Sequence, residues 1–348
     1  MESDKKKVKF DKPLFVYRIN TPDITKLMIE MAKHLIGNNY VKYIFIENID
    51  EINKANFTKD EKEKYFKYFR KFDANEEIAK ECNLCIIIGG DGTCLWANSI
   101  FKQLNKPPFI CFHGGNLGFL TIYDTKEYKK YLNELYSEEV YAIIHRREIQ
   151  CDLYEKDKEG TGDNKNRLMK KQTEVGETTN DCFRGYKLKA QYNGLNELLL
   201  EKKTNMSHLC IYLENHKLAK IDSDGLICAT PTGSTAYSLS AGGPILHNSV
   251  DGIIITSICP FSLSFRPIVL PENIKLRVKH NIEYPGSNAM IKLDGQLKGI
   301  LEDNQYLEIS LSEKTIDFIV LKSLQNNLDQ LWIEKISKSL KWNFEFSH

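Results

Sequence analysis

Leu84-Cys85-Ile86-Ile87-Ile88-Gly89-Gly90-Asp91-Gly92-Thr93 is an unbroken apolar run that closes on three glycines, an aspartate and a threonine. Such a run, bounded by glycine, reads as a strand buried on both faces, the pattern of a parallel sheet covered by helices. Leu95, Trp96 and Ala97 follow and suit a helix, so the segment reads as strand, tight loop, helix. In open α/β sheets the loop beyond a strand's carboxyl end is where ligands bind. Glycines at Gly89, Gly90 and Gly92 let the backbone approach a phosphate and aim N–H groups at it. Asp91 cannot itself hold phosphate, since like charges repel. It can hold Mg²⁺ or accept a proton from a hydroxyl. Thr93 can cap the helix or donate to the phosphate. A plain turn needs one glycine, not three.

Outward from this segment, strands and helices alternate. Residues 14–17 and 41–46 read as strands, and residues 24–35 as a helix with Leu27, Met28, Met31 and Leu35 in a stripe. Residues 61–80 are polar with interleaved aromatics and read as a helix. Residues 109–112 are the next strand. It runs into a second glycine loop, 113–120, which the same sheet edge would carry beside the first. This alternation predicts an α/β domain over residues 1–145. Beyond it the pattern turns β-rich, with short strands at 208–213, 217–221, 252–258, 275–278, 290–293, 306–311 and 315–321. Residues 146–322 therefore read as a second, all-β domain. Residues 155–185 are polar with few large apolar side chains, which predicts a flexible insertion. At the C-terminus, Leu324, Leu328, Leu331, Trp332 and Ile336 have the spacing of an amphipathic helix.

Composition narrows the function. The 348 residues carry 48 Lys and Arg against 47 Asp and Glu, a formal net charge of +1, so no basic excess points to nucleic acid. The charged N-terminus is no signal peptide and no stretch of 18 apolar residues exists, so neither secretion nor a membrane partner is expected. Nine cysteines, several inside apolar strands, read as reduced thiols of a cytoplasmic protein. Cys82 and Cys85 form a CxxC without two further ligands nearby, so no metal site is expected there. Walker A, protein-kinase, GxGxxG and HExxH signatures are all absent.

The densest polar stretch runs from Asp224 through Thr230-Pro231-Thr232-Gly233-Ser234-Thr235-Ala236-Tyr237-Ser238-Leu239-Ser240 to Pro244. An apolar strand leads into short Ser and Thr donors on a close-packed backbone, which suits phosphates and ribose hydroxyls, and Tyr237 can stack on a base. The alternative is a Ser/Thr-capped helix entry.

Together these segments resemble the NAD kinase family. Gly89-Gly90-Asp91-Gly92-Thr93 is similar to its phosphate-donor motif, and Gly194-Leu195-Asn196-Glu197 to its Asn-Glu motif. Residues 224–244, 259–271 and Asp294-Gly295-Gln296 resemble three further blocks. The resemblance implies an α/β domain followed by a β-sandwich-like domain, with the C-terminal helix, 324–342, returning to the first. It implies Mg²⁺-dependent phosphoryl transfer from ATP to the 2′-hydroxyl of the adenosine ribose of NAD, and a homodimer or homotetramer. Asp91 would be the general base. Gly89, Gly90, Gly92 and Thr93 would belong to the donor motif, and Phe119 would be a further substrate-binding residue. Asn196, Glu197, Asp224, Thr232, Thr235, Ala236, Tyr237, Ser240 and Gln296 would bind the dinucleotide. One departure stands out: Asp222 occupies a position where many members carry a basic residue, which Lys202, Lys203 or Lys220 would have to replace. A lipid kinase of the diacylglycerol or sphingosine type shares a similar loop, but the Asn196–Glu197 pair and the Thr230–Ser240 block offer no apolar sleeve. A non-catalytic NAD sensor would have no use for Asp91.

Overall fold

A computed structural model describes residues 10–19, 21–54, 57–101, 104–115, 118–137, 141–157, 182–286 and 288–340. The first nine residues, Asn116 and Leu117 of the second glycine loop, residues 158–181 of the expected insertion, and residues 341–342 of the expected C-terminal helix lie outside these. The chain divides into two units, Met1–His145 with Ile316–His348, and Arg146–Thr315.

In the first unit, strands β1 (Pro13–Tyr17), β2 (Ile44–Ile46), β3 (Phe69–Lys71), β4 (Leu84–Ile88) and β5 (Phe109–His113) lie in the order β5-β4-β1-β2-β3. All are parallel. The short strand β6 (Tyr123–Asp124) pairs with β5. β1 and β4 are buried at every residue, which is why their sequences are continuous rather than alternating. The helix Pro22–Gly37 buries Met28, Met31, Ala32, Leu35 and Ile36 against the sheet core. The strand order reverses between β1 and β4, and the loops after these two strands flank that switch point.

The helix expected over residues 61–80 is broken into a helix Lys59–Tyr65, a short 3-10 turn, β3 and a helix Glu76–Glu81. Tyr65, Tyr68, Phe69 and Phe72 do keep helical spacing. Pairing with β2, Ile44 opposite Phe69, buries Phe69, and Phe72 packs on the rings of Phe45 and Phe101. Tertiary contacts override the local period here.

The C-terminal segment of the chain folds with this first unit. The end of the long strand Gln305–Leu321 pairs with β5, Phe318 opposite Phe109. The Tyr123 hydroxyl donates to the Ile319 carbonyl (3.1 Å) and accepts from the Leu321 amide (2.9 Å). Two helices follow, Lys322–Gln325 and Leu328–Leu340, so the expected single helix is interrupted at Asn326 and Asn327. Lys335 and Ile336 are buried.

The second unit is mostly β. Its strands are β7 (Tyr141–Lys156, entered from the first unit), β8 (Tyr186–Gly194), β9 (Glu197–Lys202), β10 (Ser207–Leu213), β11 (His216–Ser223), β12 (Gly225–Ala229), β13 (Gly252–Ile258), β14 (Ile268–Pro271), β15 (Leu276–His280), β16 (Ala289–Leu293), β17 (Gln296–Leu301) and β18 (Gln305–Leu321). One sheet runs β14-β13-β12-β9-β16-β17. A second carries β11-β10-β15-β18, with β7 on β18 and β8 on β7. Leu198, Leu200, Leu226, Cys228, Ile253 and Ile291 of the one share a core with Ile149, Leu209, Ile211, Leu276, Val278 and Leu307 of the other, a two-sheet sandwich.

The strands expected at 306–311 and 315–321 are one strand, β18. The polar interval at Glu313–Thr315 is exposed but stays extended, because each end of the strand has its own partner. β7 and β8, unmarked in the sequence reading, pair from Ile149↔Gly194 to Lys156↔Tyr186. The ladder thus extends into the span expected as an insertion. At its far side Phe183 packs on Tyr212 and Tyr306, with Arg277 and Lys279 over its ring.

Among the described residues no helix is long and apolar enough to cross a membrane. All nine cysteines are free thiols. Burial pushes the Cys82 thiol up to about 12 and Cys85 well above its ordinary value, the reverse of what a reactive thiolate requires.

Candidate functional site

In the first unit the chemistry gathers beyond β4. The Gly89 amide bonds the Phe112 carbonyl (2.9 Å), ending the strand, and the helix Asp91–Phe101 starts two residues later. A Cβ at Gly89 would lie 2.2 Å from Thr93 Oγ1, so the turn requires glycine there. Gly90 and Gly92 face open space and leave the start of the helix accessible. A cavity of about 700 Å³ adjoins them. Gly90, Gly92, Thr93 and Trp96 line it from β4 and its helix, Tyr17, Arg18 and Ile19 from the end of β1, and Glu47 and Asn48 from the end of β2. The residues from β1 and β2 went unmarked in the sequence reading, although the carboxyl-end rule for parallel strands points to them.

Asp91 turns away from that cavity toward the second glycine loop. Its Oδ2 accepts from the Phe119 amide (2.7 Å), and its Oδ1 from the amides of Leu120 (2.9 Å) and Thr121 (3.4 Å). Of about four acceptor positions on a carboxylate, these bonds leave one, on Oδ2. A Cβ at Gly118 would sit 2.2 Å from Asp91 Oδ1, so that glycine exists for the carboxylate's sake. Phe119, expected as a binding residue, contributes its peptide: the amide holds Asp91 and the carbonyl accepts from the buried Lys335 amine (3.1 Å).

The second unit repeats the device. Asp294 and Gly295 have φ of 47° and 78°, the left-handed pair of a tight hairpin turn between β16 and β17. The Asp294 carboxylate accepts from three successive amides, Leu195 (2.7 Å), Asn196 (2.8 Å) and Glu197 (3.2 Å). Burial pushes this carboxyl up, against the pull of the three amides. Glu197, only 8% exposed, is pushed up to about 7, first by burial and then by the charge of Asp294. Its Oε2 is buried and has no hydrogen-bond partner among the described residues. The sequence reading chose Gln296 from this block. Gln296 instead pairs with Lys298 (2.9 Å), and Asp294 is the residue that shapes the Asn196–Glu197 turn.

The Thr-Ser block packs directly on that turn. The Thr230 amide and hydroxyl bond the carbonyls of Asn196 (2.9 Å) and Leu195 (2.6 Å). A Cβ on Gly233 would lie 2.0 Å from the Asn196 carbonyl oxygen. Gly233→Ala is therefore expected to destabilise the fold by about 1–3 kcal/mol or more, since backbone faces backbone and neither can yield. A lowered urea midpoint together with weakened NAD binding would show it, and a midpoint equal to the parent's would refute the tight packing.

Several hydroxyls that the sequence offered as ligand donors are spent internally. Ser234 bonds Pro231 and Leu246, and Ser238 bonds Thr256. Thr235 donates to the Thr232 carbonyl (3.2 Å), and Thr232 Oγ1 accepts from Arg146 (3.3 Å). Ala236 joins the 3-10 turn Thr232–Thr235 to the short helix Tyr237–Ser240, where Tyr237 and Ser240 are exposed. Asp224 stands apart from the Asn196–Glu197 turn. β9 and β12 run antiparallel with Gly225 opposite Glu201 and Ala229 opposite Glu197, so Asp224 lies at the other end, roughly 17 Å away at strand rise. Its partner there is Lys202 (2.6 Å), while Asp222 pairs with His208 (2.7 Å) and Lys220 with Glu283.

Models of the ATP-NAD kinase N-terminal domain and C-terminal domain match residues 14–140 and 195–321, well over half of the chain together. The chain belongs to the NAD kinase family. It is 31% identical to the ATP-NADH kinase of Saccharomyces cerevisiae over 95% of its own length and 63% of that relative's. It is 30% identical to a putative NAD kinase of Oryza sativa subsp. japonica over 96% of this chain and 61% of that one. The chain thus spans about three-fifths of the length of these curated relatives. Among solved structures, yeast NADH kinase complexed with NADH superposes with a TM-score of 0.77 at 25% identity, covering 98% of this chain and 90% of that one. An NAD kinase from Archaeoglobus fulgidus in complex with ATP shares the fold, with a TM-score of 0.60 at 18% identity over 92% and 98% of the two chains.

Proposed function

We propose that this NAD kinase family member transfers the γ-phosphoryl group of MgATP to the 2′-hydroxyl of the adenosine ribose of NAD, giving NADP and ADP. The observation that carries the reading is the tethered Asp91 at the start of an open, glycine-walled helix, in a chain matched by both NAD kinase domain models. The new bond joins the ribose 2′-oxygen to the γ-phosphorus as the bond to the bridging oxygen of ADP breaks. The ribose proton passes to Asp91. Phosphoryl transfer is largely dissociative, so that proton leaves late and the carboxylate needs position more than basicity.

Mg²⁺ enters this reading as part of the donor. It keeps several waters and binds phosphate oxygens with one or two carboxylates at most, and the described residues contain no cluster of three potential ligands. Gly90, Gly92 and Thr93 would hold the phosphates, and Asn196, Glu197, Thr232, Ala236, Tyr237 and Ser240 would face the dinucleotide. A homodimer or homotetramer is supported by the loop after β13, where Phe261 is 76% and Leu263 91% exposed. Its buried thiols suit a reducing compartment such as the cytoplasm.

The test is incubation of the protein with MgATP and either NAD or NADH. Product is read with an NADP-specific dehydrogenase and its position by phosphorus NMR. The expected product carries a 2′-phosphate on the adenosine ribose. Phosphate on the nicotinamide ribose, or a lipid phosphorylated in preference to NAD, would overturn the reading.

A further inference from the structure

The donor cavity is chemically two-ended. One end is backbone: Gly90 and Gly92 are open, the helix Asp91–Phe101 begins there, and the Arg18 amide bonds the last carbonyl of β4, that of Ile88 (3.2 Å). Accessible amides at a helix start suit phosphates. The other end is aromatic and acidic. Trp96, 48% exposed, lies one helical turn beyond Thr93, and its indole Nε1 donates to Glu47 Oε2 at 2.9 Å. That bond joins the helix after β4 to the loop after β2 and fixes the indole plane. Glu47 Oε1 takes part in no hydrogen bond among the described residues. The neighbouring Tyr17 phenol is held above its ordinary range by burial and by the carboxylates of Glu51 and Glu47, so this end is negative as well as apolar.

An inorganic polyphosphate would meet repulsion along half of such a cavity. A nucleobase would not. It has a flat face for the indole and, in adenine, an exocyclic amine for a carboxylate oxygen that bonds none of the described residues. We propose that Trp96 and Glu47 form the base seat of the phosphate donor. They select a nucleoside triphosphate over polyphosphate, and a base bearing an amino group over one bearing a carbonyl at the same position. The inference rests on the kinase reading above and deepens it by naming what distinguishes one donor from another.

ATP and ITP differ only at this edge, where the 6-amino group becomes a 6-oxo group with a protonated ring nitrogen. The parent protein is expected to use ATP with a KM about 10- to 150-fold lower than for ITP, the span of one hydrogen bond to a charged acceptor. Glu47→Gln keeps an acceptor for Trp96 and turns an amide donor to the cavity, so the KM for ATP should rise and that for ITP fall. Trp96→Ala should raise the KM for both nucleotides about 5- to 150-fold, the worth of base stacking, and leave that for tripolyphosphate and for NAD unchanged. Should Trp96→Ala fold poorly by thermal melt, Trp96→Leu keeps apolar bulk without an aromatic face and should raise the same two KM values. Equal KM for ATP and ITP in the parent, or tripolyphosphate used as well as ATP, would overturn the seat while leaving the kinase reading intact. If no donor yields NADP, the kinase reading fails instead. Calorimetric binding of MgATP against MgITP then still decides the seat, with preference for MgATP supporting it and equal binding refuting it.

Discussion

Asp91→Asn is expected to lower turnover by about 10²-fold or more, the range for losing a general base, while NAD still binds by calorimetry. Asparagine is an imperfect isostere at this position. Both carboxylate oxygens accept backbone N–H groups, one from Phe119 and two from Leu120 and Thr121. The amide NH₂ of asparagine would have to face a donor whichever way it is turned. A hydrogen bond to a charged group is worth about 1.5–3 kcal/mol, so the loop 118–121 is expected to loosen as well. Hydrogen exchange at those amides separates the two contributions. Faster exchange with little loss of turnover would make Asp91 a tether and not a base, and near-normal turnover would remove its catalytic role.

Much of the architecture was legible because its signals are local. The apolar run Leu84–Ile88 can only be a strand covered on both sides, and glycine after it can only be a loop. The hairpin at Glu214–Asn215 and the strand Gly252–Ile258 were likewise visible in composition and spacing. What escaped was set by contacts remote in sequence. Phe69 became a strand residue because β2 offered it a partner. β7 hid behind charged residues, Arg146, Arg147 and Glu148, that a solvated loop also contains, and its pairing with β8 crosses the whole expected insertion.

The site followed the same division. Glycine-rich loops announced themselves, but not where their side chains turn. Asp91 reaches 28 positions forward to the Phe119 amide, and Asp294 reaches back 99 to that of Leu195. Each carboxylate fixes a turn that bears other residues expected to bind ligand. The Trp96–Glu47 bond spans 49 positions. No period or propensity encodes such pairs; they exist only once the strands have brought the loop ends together. The hydroxyls of Thr230, Ser234 and Ser238 err in the opposite direction. They looked available, and folding consumed them.

The second large effect is expected at Asn196 and Glu197. Alanine should raise the NAD requirement about 10- to 150-fold at Glu197, where a ribose hydroxyl meets a charged acceptor, and about 2- to 13-fold at the neutral amide of Asn196, and should change that for ATP little. Glu197 adds a dependence on pH. Its carboxyl is pushed up to about 7 from an ordinary value of 4.5 by burial and by Asp294. Between those values the folded protein holds a proton that the unfolded chain has released. The stability this proton confers is full below about 4.5 and is lost as pH rises through 7. Glu197→Gln stays neutral throughout. It should therefore gain on the parent above pH 7, by on the order of 3 kcal/mol in urea unfolding at pH 8.5 if the whole shift is expressed, and should match it near pH 4.5. Binding runs the other way. Ribose hydroxyls donate best to the ionised carboxylate, so the parent's KM for NAD should fall as pH passes 7, and that of Glu197→Gln should stay flat. Parallel pH profiles in the two proteins would remove Glu197 from the ribose. A selective loss of ATP affinity would place the pair on the donor side instead.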